Sequence, residues 1–184
     1  MSSKRAFIAF AAVFALVGCP TLTTGQTSKA GTKATADFAD PGGQFTIKYP
    51  ADWKQSPGSA NQVVFFEATL NLPEEAAVGV IVATVTAGVD PALALTQYSS
   101  TYASQMKSQG ETIHATSSAT IAGEKAQTVD HSIKVQGKSF KSRQTIFIKN
   151  DKAYQLNFLV APPEKFDEWV PTNSDMAETL KILK

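Results

Sequence analysis

The spacing of apolar residues changes three times along the chain. Ala6 to Val17 is an unbroken apolar run of twelve residues. Pro20 to Asp40 is rich in Thr, Ser, Gly, Ala and Lys, with Leu22 and Phe38 as its only larger apolar side chains. From Phe45 the pattern turns to alternation. Phe45, Ile47 and Tyr49 alternate with Gln44, Thr46 and Lys48, which predicts a half-buried strand that Pro50 ends. Gln62 to Ala68 and Val78 to Thr86 are apolar on both alternating faces, the pattern of strands covered on two sides.

A helical period follows. Asp90-Pro91 supplies a cap and a first-turn proline, Leu95, Tyr98, Tyr102 and Met106 recur at helical spacing, and Gly110 stops the element. Four further strands are predicted over about 112–121, 125–135, 140–149 and 152–160, with Gln136-Gly137-Lys138 and Asn150-Asp151 as hairpin turns. Pro162-Pro163 ends that run. A short segment with Phe166 and Trp169 is expected to break at Pro171. Asn173 or Ser174 then caps a last helix with Met176, Leu180 and Leu183 as its apolar stripe. The fold class is α+β: an antiparallel sheet sandwiched between helices in an α/β/α arrangement.

The first apolar run decides where the protein works. As a helix it reaches about 18 Å at ~1.5 Å per residue, well short of a bilayer core of about 30 Å. Lys4 and Arg5 before it and small residues at its end give the layout of a secretory signal. No A-x-A site stands just beyond the run; the boundary reads Leu16-Val17-Gly18-Cys19. That stretch resembles the bacterial lipoprotein box, which implies a lipid (diacylglycerol and a palmitate-type chain) on Cys19 and cleavage before it. Pro20 departs from the small polar residue usual after the cysteine. An ordinary signal peptide with a spare thiol is the alternative. The expected organisation is a lipoprotein signal peptide over 1–18, a flexible tether over 19–43 and one folded domain over 44–184. Its place is the extracytoplasmic face of a bacterial membrane, held through the lipid on Cys19.

Composition narrows the function classes. Loss of the signal peptide leaves 166 residues and takes the formal charge from +1 to −1. A near-neutral chain lacks the basic excess of nucleic-acid binders. Cys19 is the only cysteine, so neither a disulfide nor a thiolate metal site is available.

The stretch "FTIKYPADW" has the form apolar-x-apolar-x-aromatic-Pro-x-x-Trp, carried by Phe45, Ile47, Tyr49, Pro50 and Trp53. It resembles the start of PsbP-like (Mog/PsbP) domains, and the predicted element order continues that resemblance through Leu183. The resemblance implies a lumenal or lipid-anchored accessory protein that binds partners and has no catalysis or cofactor. It admits an extrinsic photosystem II-type role, although the residues typical of that branch are not matched.

The candidate chemistry is sparse. No G-x-S-x-G elbow, H-E-x-x-H spacing or D-x-D-x-D-G loop occurs, so no catalytic or metal residues are assigned. Asp130 adjoins His131, but neighbours on a strand face opposite ways, and His131 is expected at a core edge with Val129, Ile133 and Val135. Lys141, Arg143 and Lys149 share one face of a strand with Phe147, a possible surface for an anionic partner or a solvated face that discourages edge pairing. Trp53, Tyr98, Tyr102, Phe166 and Trp169 are either core or the lining of an apolar groove. Three functions remain: an accessory protein acting through a protein partner, a carrier or sensor of a small apolar ligand with a cavity beneath the last helix, and a hydrolase. The last requires His114 or His131 to meet both a carboxylate and a hydroxyl.

Overall fold

The computed structural model describes residues 35–58, 62–68, 70, 74–135 and 137–183. The signal peptide, Cys19 and most of the expected tether lie outside them. Three strands form a small antiparallel sheet in the order β1-β2-β10, with β1 at Thr35–Ala39, β2 at Phe45–Pro50 and β10 at Lys181–Ile182. Seven form the main sheet: β3 (Lys54–Pro57), β4 (Gln62–Glu67), β5 (Glu75–Thr84), β6 (Thr112–Ile121), β7 (Glu124–Val135), β8 (Lys138–Lys149) and β9 (Lys152–Ala161). Their spatial order is β3-β4-β5-β9-β8-β7-β6, antiparallel throughout.

Two helices cover opposite faces of the main sheet: α1 (Pro91–Ser108) and α2 (Phe166–Thr179). The alternation of β8 and β9 sets this up. Phe147, Tyr154, Leu156, Phe158 and Val160 point into the larger core with Phe166 and Met176 of the α2 side. Ile146, Ile148 and Ala153, one position out of phase, meet Ala94 and Leu95 of α1. The expected α/β/α arrangement is the observed one.

α1 begins where Asp90 caps it. Asp90 Oδ1 accepts hydrogen bonds from the amides of Ala92 and Leu93, each 3.0 Å long. Those amides have no partner inside the helix. Asp90→Ala is expected to cost ~1 kcal/mol, read as a shift in the urea unfolding midpoint. At the β8–β9 hairpin both Asn150 and Asp151 adopt positive φ, 51° and 55°. This is the backbone that a two-residue hairpin turn demands.

Three expectations fail, the first two because tertiary burial outweighs local sequence and the third because α2 ends before Leu183. Residues 35–39, expected within the tether over 19–43, form β1, paired with β2 from Thr35↔Pro50 to Ala39↔Thr46. Phe38 explains it: its ring packs against Phe45 and Phe66 at centroid distances of 5.9 and 5.7 Å. The Asp40–Gly43 turn thus joins two strands of the domain rather than marking the domain's start at residue 44.

Pro171 does not break a segment, because α2 runs through it from Phe166 and Asn173 is buried inside the helix rather than capping it. An internal proline costs ~3 kcal/mol. Burying side chains such as Phe166 and Trp169 returns about 1.5–3 kcal/mol each when complete. Leu183 is 54% exposed beyond the end of α2, so only Met176 and Leu180 of the expected stripe reach the core.

Candidate functional site

The chemistry-bearing side chains gather beneath α1. On the α1 face of the main sheet, Gln144 of β8, Gln155 of β9 and His131 of β7 are all buried. Tyr98 and Tyr102, one turn apart on α1, reach down to them. Gln155 Nε2 donates to Tyr98 Oη at 2.6 Å, and Gln144 Nε2 donates to Gln155 Oε1. Tyr102 Oη lies 2.9 Å from His131 Nε2. Glu111, between α1 and β6, places Oε2 2.6 Å from the other ring nitrogen, Nδ1, in a contact bent away from ideal hydrogen-bond geometry. The helix is thereby tied to β9 and β7 by polar contacts, with Gln144 of β8 joined through Gln155, as well as by the apolar patch at Leu95.

Burial governs the protonation of this cluster. His131 is 2% exposed and the Glu111 side chain 9%. Desolvation pushes the Glu111 carboxyl up to about 7 and the His131 imidazole down to about 4. Asp130 raises the imidazole value and His114 lowers it, both less than burial does. Desolvation also pushes the Tyr98 phenol up to about 12, against a smaller lowering by its bond from Gln155, and raises Tyr102 as well. Both phenols therefore keep their protons at neutral pH.

Outside this cluster, α1 and the end of β5 enclose a cleft of about 240 Å³, lined in part by Thr84, Val85, Thr86, Tyr98, Thr101 and Tyr102. Tyr102 thus touches the cleft on one side and the Glu111–His131 pair on the other. His131 meets a carboxylate and a hydroxyl, the condition set for a hydrolase. Yet the hydroxyl is a phenol held protonated, and the imidazole behind it is only 2% exposed. Its evident work is to fasten α1 to β7. His114 Nε2 lies 2.6 Å from Ser132 Oγ on the other side of the β6–β7 ribbon, and neither residue lines the cleft. Among the described residues no three of His, Cys, Asp and Glu gather as a metal site.

The other sequence candidates separate. Asp130 faces away from its neighbour His131, as strand geometry requires, and takes a bidentate pair from Arg143 at 2.8 Å to each oxygen. Lys141 Nζ stands 4.4 Å above the Phe166 ring centre and 3.7 Å from Asp167, with the Arg143 guanidinium 5.5 Å from the same ring. Lys149 pairs with Glu124 at 3.0 Å. All three cations sit on the α2 face with Phe147, and each meets a carboxylate, so the three form no uncompensated patch. The five aromatics do not line one groove. Trp53 and Trp169 pack edge to face at 5.9 Å on the α2 side with buried Phe166, while Tyr98 and Tyr102 lie across the sheet under α1. The observed cleft is therefore beside the first long helix, not beneath the last. Sequence reasoning missed Glu111, because one acidic residue between a helix and a strand has no periodic partner to mark it.

Residues 33–182 match the PsbP family. The chain is a member of the PsbP family. Its PsbP domain superimposes on cyanobacterial PsbP (CyanoP) from Synechocystis sp. PCC 6803 with a TM-score of 0.61 at 13% identity, covering 86% of this chain and 98% of that one. LpqN of Mycobacterium tuberculosis, described as involved in cell envelope biogenesis, gives 0.58 at 16% identity over 84% and 93% of the two chains. The Saccharomyces cerevisiae Ran-binding protein Mog1p gives 0.56 at 7% identity over 83% and 97%. At such identities these likenesses speak for the fold alone. A search of the curated proteins returns no sequence match.

Proposed function

We propose that this PsbP-family protein is a lipid-anchored, extracytoplasmic accessory protein that works through contacts with a protein partner and not by catalysis. One observation carries the reading: the chain's sole cysteine, Cys19, closes the box Leu16-Val17-Gly18-Cys19 at the end of the apolar run, just ahead of the family domain. Among the described residues no helix is long and apolar enough to cross a membrane. Attachment through the N-terminus fits that arrangement. Two or more acyl chains make such an anchor stable where a single one is marginal. The relatives of like fold lend support: LpqN is tied to envelope biogenesis and Mog1p binds the protein Ran.

A second reading, carriage of a small ligand, is favoured by the α1 cleft. At about 240 Å³ it is below the ~300–1,000 Å³ usual for ligand pockets. It admits a small molecule rather than a long apolar one.

The test is the intact mass of protein from the membrane fraction beside a Cys19→Ala version. The expected result is a mature chain that starts at Cys19 and is heavier by its acyl groups, with the Cys19→Ala chain left unprocessed. An unmodified wild-type chain cut elsewhere overturns the anchor and makes ligand carriage the better reading.

A further inference from the structure

The two edges of the seven-stranded sheet are built differently. Edge strands expose unpaired backbone groups, and proteins usually blunt them with short length, lysine or proline. β3 has all three devices: four residues, Lys54 and Pro57. β6 has none of these three, and its only blunting device is a bulge near its start. It is ten residues long, mostly exposed and free of proline, and no Asp, Glu, Lys or Arg occurs from Thr112 through Gly123. Its one irregularity is a bulge between Ile113 and Ala115, after which it stays in register with β7 to Ile121. Side chains on β6 are tied inward to β7, His114 to Ser132 at 2.6 Å and Ser117 to Thr128 at 2.5 Å. The strand is thus held in the sheet while its outer backbone edge stays open among the described residues.

We propose that the β6 edge docks the β6 edge of a second copy, antiparallel across a two-fold axis, joining two main sheets into one. The occupant follows from the contrast between the edges. Pairing β6 with β3 of the next molecule would continue without limit, but Pro57 and Lys54 oppose it. Pairing β6 with itself uses the less protected of the main sheet's two edges among the described residues and closes at two copies. Self-pairing also sets Thr116, Ser117 and Ser118 against each other, and small hydroxyl residues are favourable cross-strand neighbours. With no formal charge on the strand, like charges are not brought face to face. A foreign peptide recognised by charge would find no charge to read.

The test is cysteine cross-linking in cells expressing the full chain. Thr116, Ser117 and Ser118 are changed to cysteine one at a time, and Lys54→Cys on the opposite edge serves as control. After oxidation with copper phenanthroline, a disulfide-linked dimer is expected from at least one β6 position, well above the wild-type chain and Lys54→Cys. It is expected to be lost when Thr112→Lys and Thr120→Lys are added, with protease resistance showing that the monomer remains folded. A β6 signal no stronger than that of the wild-type chain or Lys54→Cys overturns the proposal. So does a dimer that persists, in folded protein, when the two lysines are present.

Discussion

Phe158→Ala is expected to remove about 3–5 kcal/mol of stability, the usual loss when a buried aromatic side chain is cut to alanine. Phe158 is 0% exposed in β9, where it sits in register between Val78 of β5 and Arg143 of β8. Its ring centre lies 5.2 Å from that of Phe166, the first residue of α2. Truncation therefore leaves a void where the sheet meets the helix and removes the aromatic contact that seats the start of α2. Small domains have about 5–15 kcal/mol in total, so this one change consumes a large share. The check is urea unfolding followed by far-UV circular dichroism. The midpoint should fall sharply with little change in the slope, which tracks the surface exposed on unfolding. A midpoint within error of the wild type would show that this core does not hold the domain together.

The second large effect is one of pH. Glu111 has its ordinary value of 4.5 raised to about 7 by burial, so the fold favours its protonated form. Its contribution to stability is full below 4.5 and is lost as pH rises to 7. His131 has its ordinary value of 6.5 lowered to about 4, so the fold favours the neutral ring. Its contribution is full above 6.5 and is lost as pH falls to 4. Between 4.5 and 6.5 the two slopes oppose each other, and the pair contributes almost no net pH dependence.

Removing either partner uncovers the other. Relative to wild type, Glu111→Gln should lose stability on acidification from pH 6.5 to 4, and His131→Leu should lose it on going from pH 4.5 to 7. Each slope is at most ~1.4 kcal/mol per pH unit. The measurement is the urea midpoint of the three proteins at half-unit steps across that range. Parallel curves for all three would mean that folding leaves the proton affinities of Glu111 and His131 unchanged, and that burial does not shift them.

Much of the domain was legible from spacing alone. Alternation gives β2, runs apolar on both faces give β4 and most of β5, strand-forming runs between turns give β6 to β9, and Asp90-Pro91 with Gly110 brackets α1. These signals are local: alternation, a cap, a turn that tolerates positive φ. The site was harder to see. Tyr98 and Tyr102 read as part of an apolar stripe, and their hydroxyl partners come from Gln155 and His131, 57 and 29 residues away in sequence. Glu111 carried no signal at all, because its meaning comes from where α1 ends relative to β7. Lys141, Arg143 and Lys149 share a face as the alternation demands, yet the carboxylates that neutralise them lie on β7 and α2.

By itself, then, the sequence determined the local elements, the α+β class and the position of its one cysteine, since each follows from residue type and short-range spacing. Tertiary structure alone decided that residues 35–39 form a strand, that α2 runs through Pro171, that the aromatics divide between two faces, and that a buried carboxyl meets a buried imidazole. Each of those outcomes turns on burial, and burial depends on residues distant in the chain that only the folded arrangement brings together.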